Sequence, residues 1–307
     1  MKHTLSITLI IILIFFLSQI IGLYALNVNT VVKKTPEGGL VVEHENTAIG
    51  ERPNLQGPET FLYIIVAVLM GTGFLLLLVK LKKIRIWKAL YFFAVWMTCS
   101  ITIGVFTYDF LAFSVCFILA FFKVFRPNIW IHNITELFIY AGIAIIFVPL
   151  LDIVWVTLLL LAISAYDMFA VWKSKHMVSL AEFQSKSKAF AGVLLSYKVK
   201  LKSLKTKKSG KTTETEEGEE QRSAVLGGGD IAFPMIFAGV VMNSMIEAGI
   251  HTKTFAFLYS LIIPVIVAAF LLVLLVEARS DKFYPAMPFL TAGCFIGYGL
   301  VWLVNFV

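Results

Sequence analysis

The stretch AVLGGGDIAFP, Ala224 to Pro234, opens a long apolar run, yet it carries three consecutive glycines, a carboxylate and a proline. A simple membrane-crossing helix avoids all of these residues. The stretch is therefore either a boundary or a place where the backbone around Asp230 is meant to be loose.

Composition settles the class in which that choice is made. Hydrophobic residues make up 59% of the chain and charged residues 15%, and the mean hydropathy is +0.87. A soluble domain of 307 residues has too little interior to hide that much apolar surface, whereas a bilayer removes the need to hide it. The chain reads as an all-α polytopic membrane protein. Its three cysteines, Cys99, Cys116 and Cys294, all lie in apolar runs, without the spacing of a disulfide framework or a metal site. They read as small buried side chains. The five histidines form no cluster, so neither a metal nor another cofactor is expected.

A helix needs about 20 apolar residues to cross a bilayer. Nine segments qualify: 4–26, 60–79, 89–106, 108–122, 134–151, 153–172, 224–246, 254–276 and 287–306, the fourth being short. The apolar core of the first, Leu5 to Leu26, is longer than a signal-peptide core, so a retained helix is expected. Alternate loops carry 22 of the 26 Lys and Arg residues, on the side that holds the N-terminus and 173–222. The positive-inside rule then puts the N-terminus in the cytosol and the C-terminus outside. The net charge of +7 thus follows the membrane and does not point to nucleic acid. Residues 1–172 form a bundle of six spans, 173–222 a cytosolic loop and 223–307 a bundle of three. That loop ends in a basic block followed by an acidic one, KVKLKSLKTKKSGKTTETEEGEEQR, and reads as largely disordered. Before it, LAEFQSKSKAFAGVLLSY could form an interfacial helix. Outside the membrane, residues 27–59 include LVVEHE, a candidate short strand.

Depth sorts the acidic residues. Asp109, Glu136, Asp152, Glu247 and Glu277 lie near span ends, within reach of water or headgroups; Asp167 and Asp230 do not. A charge at depth costs roughly 2.5–3.5 kcal/mol on insertion scales, so intramembrane carboxylates are functional candidates. Asp167 lies six residues before Lys173, about 9 Å along a helix, and Asp230 eight residues after Arg222, about 12 Å. Consecutive antiparallel helices would hold both carboxylates at one level, toward the cytosolic face.

Gly227, Gly228 and Gly229 permit unusual backbone angles and close approach of another backbone. Pro234 deprives the carbonyl of residue 230 of its donor. Loose backbone at depth is tolerable only if buried in protein or lining a wet cavity. Two neighbouring carboxylates there would share one proton, the ionised one accepting a proton from water and the other donating to a peptide carbonyl. In DKFYPAMPFL, Pro285 and Pro288 bracket Ala286 and Met287, giving a stiff lead-in to the last span with unpaired backbone groups at the same level. Pair and depth alone leave proteolysis, ion- or proton-coupled transport and a structural polar pair all open.

Tyr166-Asp167 in the sixth span, Gly227-Gly228-Gly229-Asp230 in the seventh and Pro285-Ala286-Met287 in the ninth together resemble the YD, GxGD and PAL motifs of the presenilin and signal peptide peptidase family of intramembrane aspartyl proteases. Tyr108-Asp109, a second YD at a loop, shows that YD alone carries nothing. Met287 in place of leucine is the one departure. The short chain looks most like microbial members, especially archaeal presenilin homologues. The resemblance implies a presenilin-like fold, Asp167 and Asp230 as the catalytic pair, and Tyr166, the three glycines and Pro285 to Met287 shaping the site. It implies transmembrane helices as substrates, opened and paired with a strand near the site, and a single-chain enzyme in the bilayer. A homo-oligomer is compatible with the sequence. The lysine-rich loop after the sixth span has the presenilin orientation, which implies substrates whose N-terminus lies outside.

Overall fold

The computed structural model describes residues 5–34, 40–52, 55, 57–173, 180, 183–184, 187, 189–203, 216–278 and 284–306. Among these, nine helices carry the apolar segments. They are α1 (Leu5–Asn29), α2 (Pro58–Lys80), α3 (Ile84–Gly104), α4 (Asp109–Phe125), α5 (Ile129–Phe147), α6 (Ile153–Met168), α7 (Gly228–Glu247), α8 (Lys253–Glu277) and α9 (Met287–Phe306). Eight are long and apolar enough to cross a membrane. The helix α4, with 17 residues, is the short one the sequence leads one to expect.

Local chemistry sets the helix ends. Asn128 and Asp152 cap α5 and α6 by accepting from the N–H groups of Trp130 and Trp155, each at 2.9 Å. Pro58 occupies the first position of α2, where a missing N–H costs nothing. Within α8, Pro264 cannot donate to the carbonyl of residue 260, and the helix breaks at Leu261 between Lys253–Ser260 and Ile262–Glu277.

Helix α7 is the axis of the bundle. It is enclosed along most of its length and packs against α1, α5, α6, α8 and α9, whereas α2 is largely exposed. Small residues permit the closest crossings. A Cβ at Gly293 or Gly297 of α9 would lie 3.0 or 2.8 Å from the backbone of α8.

Two antiparallel hairpins complete the fold, β1 (Thr30–Lys34) with β2 (Leu40–His44), and β3 (Gly192–Ser203) with β4 (Glu216–Gly227). The first includes the strand expected in LVVEHE. Arg52 ties it down, donating to Asn29 Oδ1 at 2.7 Å, to the Glu45 carbonyl at 2.7 Å and to the Ile145 carbonyl at 3.1 Å. Burial, then the charges of Arg52 and Lys253, pulls the His44 imidazole down to about 4, so it is neutral at physiological pH.

The second hairpin occupies positions read from sequence as disordered loop and interfacial helix. Its register sets Lys200 opposite Glu219 and Lys202 opposite Glu217. Residues 204–215 between the strands lie outside the described residues, as does much of 174–188. The strand runs on to Gly227, so the seventh helix starts at Gly228 and not at Ala224.

One acidic residue is not where the sequence reading puts it. Glu136 is 1% exposed, not at a wet span end. Lys123, counted as a loop residue, is equally buried in α4 and donates to Glu136 Oε1 at 2.6 Å. It also donates to Thr135 Oγ1 at 2.8 Å and the His132 carbonyl at 3.0 Å. The Tyr91 hydroxyl of α3 lies 3.1 Å from Oε1, and Tyr140 donates to Oε2. A fully buried pair of this kind adds little over an apolar pair, but is costly to halve. Lys123→Met is expected to destabilise the protein by about 3–5 kcal/mol, and the double change Lys123→Met with Glu136→Leu to recover most of that loss. Denaturant titrations of both variants in detergent check this.

Candidate active site

Asp167 sits three residues after Ser164, near the end of α6, and is 6% exposed. Immediately beyond, Phe169–Lys173 form a π-helical turn, a departure from regular helix that is frequent at functional sites. Pro285, Ala286 and Met287 lead into α9 at this level. The Met287 N–H donates to Asp167 Oδ2 at 3.1 Å. The Ala286 carbonyl meanwhile accepts from Phe289 and Leu290, each at 3.1 Å. The unpaired groups expected of the proline-rich lead-in are thus the orphan donors of a helix start, and a carboxylate from another helix satisfies one of them. A second clip lies one turn away, Ser164 Oγ to Thr291 Oγ1 at 2.7 Å, both buried.

Asp230 lies in the first turn of α7. Helices α6, α7 and α9 pack on one another here, and Asp230 lies close enough to Asp167 to feel its charge. Gly227 lies directly against the Asp230 carboxylate. The three glycines have ordinary angles, with Gly227 extended at φ −64° and ψ 145° and no positive φ at Gly227, Gly228 or Gly229. Their contribution is space rather than conformational freedom. A Cβ on Gly227 would lie 3.1 Å from Asp230 Oδ2, and one on Gly228 2.9 Å from the Tyr140 ring. The helix continues through Pro234. The neighbouring Ile231 carbonyl accepts from Gln19 Nε2 of α1 at 2.8 Å.

Tyr166 points elsewhere, its hydroxyl donating to Thr72 Oγ1 of α2 at 3.0 Å. Adjacent helix positions face apart, so the YD pair serves two different neighbours. No cluster of metal-binding side chains occurs among the described residues. A cavity of about 490 Å³, lined by Thr30, Leu40, Glu45 and Lys253, lies beside Ile246 at the far end of α7 from both aspartates.

The strand β4 runs straight into this site. Residues of an antiparallel pair alternate between facing their partner strand and facing away. Leu194 and Gly192 of β3 face away, because side chains of α5 hold Leu194 N–H and both carbonyls. Their partners Val225 and Gly227 therefore present N–H and C=O to the outer edge of β4. Gly227 lies against Asp230 there, and Val225 is 41% exposed. Nothing in the sequence reading picked out this edge, or His132 and Asn133 behind it.

Tyr140 is 3% exposed and its hydroxyl is held by Glu136, so its ring cannot give way to a larger residue at 228. Gly228→Ala is expected to cost about 1–3 kcal/mol by overpacking. At Gly229 an added Cβ would be 3.5 Å from Phe233, an ordinary contact. Gly229→Ala is therefore expected within about 0.5 kcal/mol of the parent, or slightly above it in stability. Unfolding midpoints of the two variants measured side by side test the contrast.

Solved structures with this architecture exist. One is a presenilin family intramembrane aspartate protease in space group C222, with a TM-score of 0.59 and 18% identity, covering 97% of this chain and 99% of that one. A presenilin family intramembrane aspartate protease in space group P2 gives a TM-score of 0.58 and 20% identity, covering 96% of each chain. At that identity the likeness speaks for the fold alone. No curated protein matches the sequence. Family membership comes from the sequence pattern described as signal-peptide peptidase, presenilin aspartyl protease, which matches residues 39–307. That match decides between the proteolytic, transport and structural readings left open by an intramembrane acidic pair: the chain belongs to the signal-peptide peptidase and presenilin family of intramembrane aspartyl proteases.

Proposed function

We propose that Asp167 and Asp230 are the catalytic pair of this protease, and that it hydrolyses peptide bonds within transmembrane helices of membrane proteins. The observation that carries the reading is the junction of α6, α7 and α9. One carboxylate is held by the Met287 N–H there, and the other lies near it, next to a strand edge with no partner strand among the described residues. Two such carboxylates share a proton. Asp167, whose carboxylate accepts from the Met287 N–H, is assigned the role of the ionised member. It takes a proton from the attacking water as the oxygen adds to the peptide carbonyl. Asp230 gives its proton to the carbonyl oxygen, forming a neutral diol. Collapse of the diol breaks the C–N bond. The proton held by Asp167 goes to the departing nitrogen and one diol proton returns to Asp230, so the pair regains its starting state.

The substrate must open first, because a helix ties its carbonyls into its own hydrogen bonds. The opened segment adds to the outer edge of β4, where Val225 offers one N–H and one C=O beside Asp230. Gly227, Gly228 and Gly229 leave room for it, Pro285 to Met287 hold Asp167 in place, and Tyr166 braces α6 against α2.

The protein acts as a single chain in the bilayer, with bundles 1–172 and 223–307 contributing one aspartate each and 173–222 on the cytosolic side. The lysine bias supports an N-terminus in the cytosol and a C-terminus outside. Two outcomes test these proposals. Asp167→Ala and Asp230→Ala should each abolish cleavage of a labelled transmembrane peptide in detergent, a fall of at least about a thousandfold. Equal products from parent and variants would overturn the assignment. In liposomes, reporter peptides with an outside N-terminus should be cut in preference to matched peptides of the opposite topology, and equal cutting would remove the orientation argument.

A further inference from the structure

A two-stranded sheet has two outer edges, and either could in principle accept an extended peptide. Only one of them adjoins Asp230. The outer edge of β3 is occupied where it runs alongside α5. The Asn133 side-chain amide donates from Nδ2 to the Leu194 carbonyl at 2.9 Å, and its Oδ1 accepts from the Leu194 N–H at 3.1 Å. The primary amide thus imitates a third strand at one position, using both groups that an incoming peptide would need. One residue earlier on α5, His132 Nε2 is hydrogen-bonded to the Gly192 carbonyl at 2.8 Å. The segment leading into β3 is held from the same side. Trp87 Nε1 donates to the Ala189 carbonyl at 2.9 Å, and the Tyr91 hydroxyl to the Phe190 carbonyl at 2.6 Å.

These contacts do two things at once. They fill β3, and by fixing which of its residues face outward they fix the parity of β4. A slip of one residue would exchange every inward and outward group, turning Val225 away from the open edge. Asn133 makes the only paired donor-and-acceptor contact to a single residue of β3 among the described residues.

We propose that Asn133 is a positioning residue that closes β3 to peptide, so that a substrate strand can join the sheet only along β4 at Val225, beside Asp230. This rests on the catalytic assignment of Asp230 above. Without Asn133 the peptide gains a second edge to bind and a hairpin free to shift against α5. Bound peptide is then divided between productive and unproductive positions, and cleavage spreads to bonds two residues away, the repeat of a strand face.

The test compares the parent with Asn133→Leu, which keeps the volume and removes both hydrogen bonds, and with Asn133→Ser as a smaller change should the first fail to fold. A labelled transmembrane peptide is digested, and its products are resolved by mass spectrometry. Active enzyme is counted by titration with a diol-mimicking peptide. In parallel, a photoreactive side chain at 195 or 225 reports which strand lies against bound peptide.

The expected result is at least a threefold rise in the share of products displaced by two residues, per active enzyme, and new crosslinks from 195 in the variants. An unchanged product pattern with fewer active molecules would mean that Asn133 merely supports the fold, and would overturn the proposal. So would crosslinking from 195 in the parent. Asp230→Ala in the same assay keeps the two readings apart. If it still cleaves, the catalytic assignment fails, whatever Asn133 does. If it is inactive while both Asn133 variants cut like the parent, the positioning role alone fails.

Discussion

A carboxylate inside a bundle that crosses a bilayer needs donors brought to it, because lipid supplies none. Asp167 obtains one from the start of another helix. The orphan Met287 N–H of α9 needs an acceptor and the buried carboxylate needs a donor, and each meets the other's need. The rest of the site is arranged around this exchange. It fixes α9 against α6, the Ser164–Thr291 contact repeats the attachment one turn on, and α7 brings Asp230 alongside. The stiff Pro285 lead-in serves the same end, since it leaves Met287 with a donor directed outward and not into a preceding helical turn.

Much of this was legible in the sequence because membranes impose simple rules. Apolar length marked the helices to within a few residues, and the short α4 stood out before any coordinates. The two deep aspartates were identifiable by cost alone. The three motifs in order pointed to the family that the match over residues 39–307 establishes. The departure at Met287 also becomes intelligible. Its contribution to Asp167 comes from the main chain, so exchanging one long apolar side chain for another leaves that bond untouched.

What the sequence hid was of two kinds. Glu136 and Lys123 looked like span-end charges because linear depth cannot reveal that the ends of α4 and α5 meet and enclose each other. The strands β3 and β4 look like loop in the sequence because each block of like charge reads as solvated on its own, whereas the antiparallel pairing of their backbones appears only after the chain folds back. The glycines were read correctly as a sign of close quarters, but for a partly mistaken reason. They keep regular backbone angles, and what they concede is the volume claimed by Tyr140 and by Asp230 itself.

The tie between Asp167 and Met287 has a bearing on how altered forms of such proteins are interpreted. Trimming Asp167 to alanine takes away the acceptor of the Met287 N–H and so uncaps α9. Crystals or cryo-specimens of a protein altered at 167 would therefore portray a rearranged last helix. A change at 230, which lies against the adjoining Gly227 and ties no other helix among the described hydrogen bonds, would disturb the architecture less and keep the last helix as it stands.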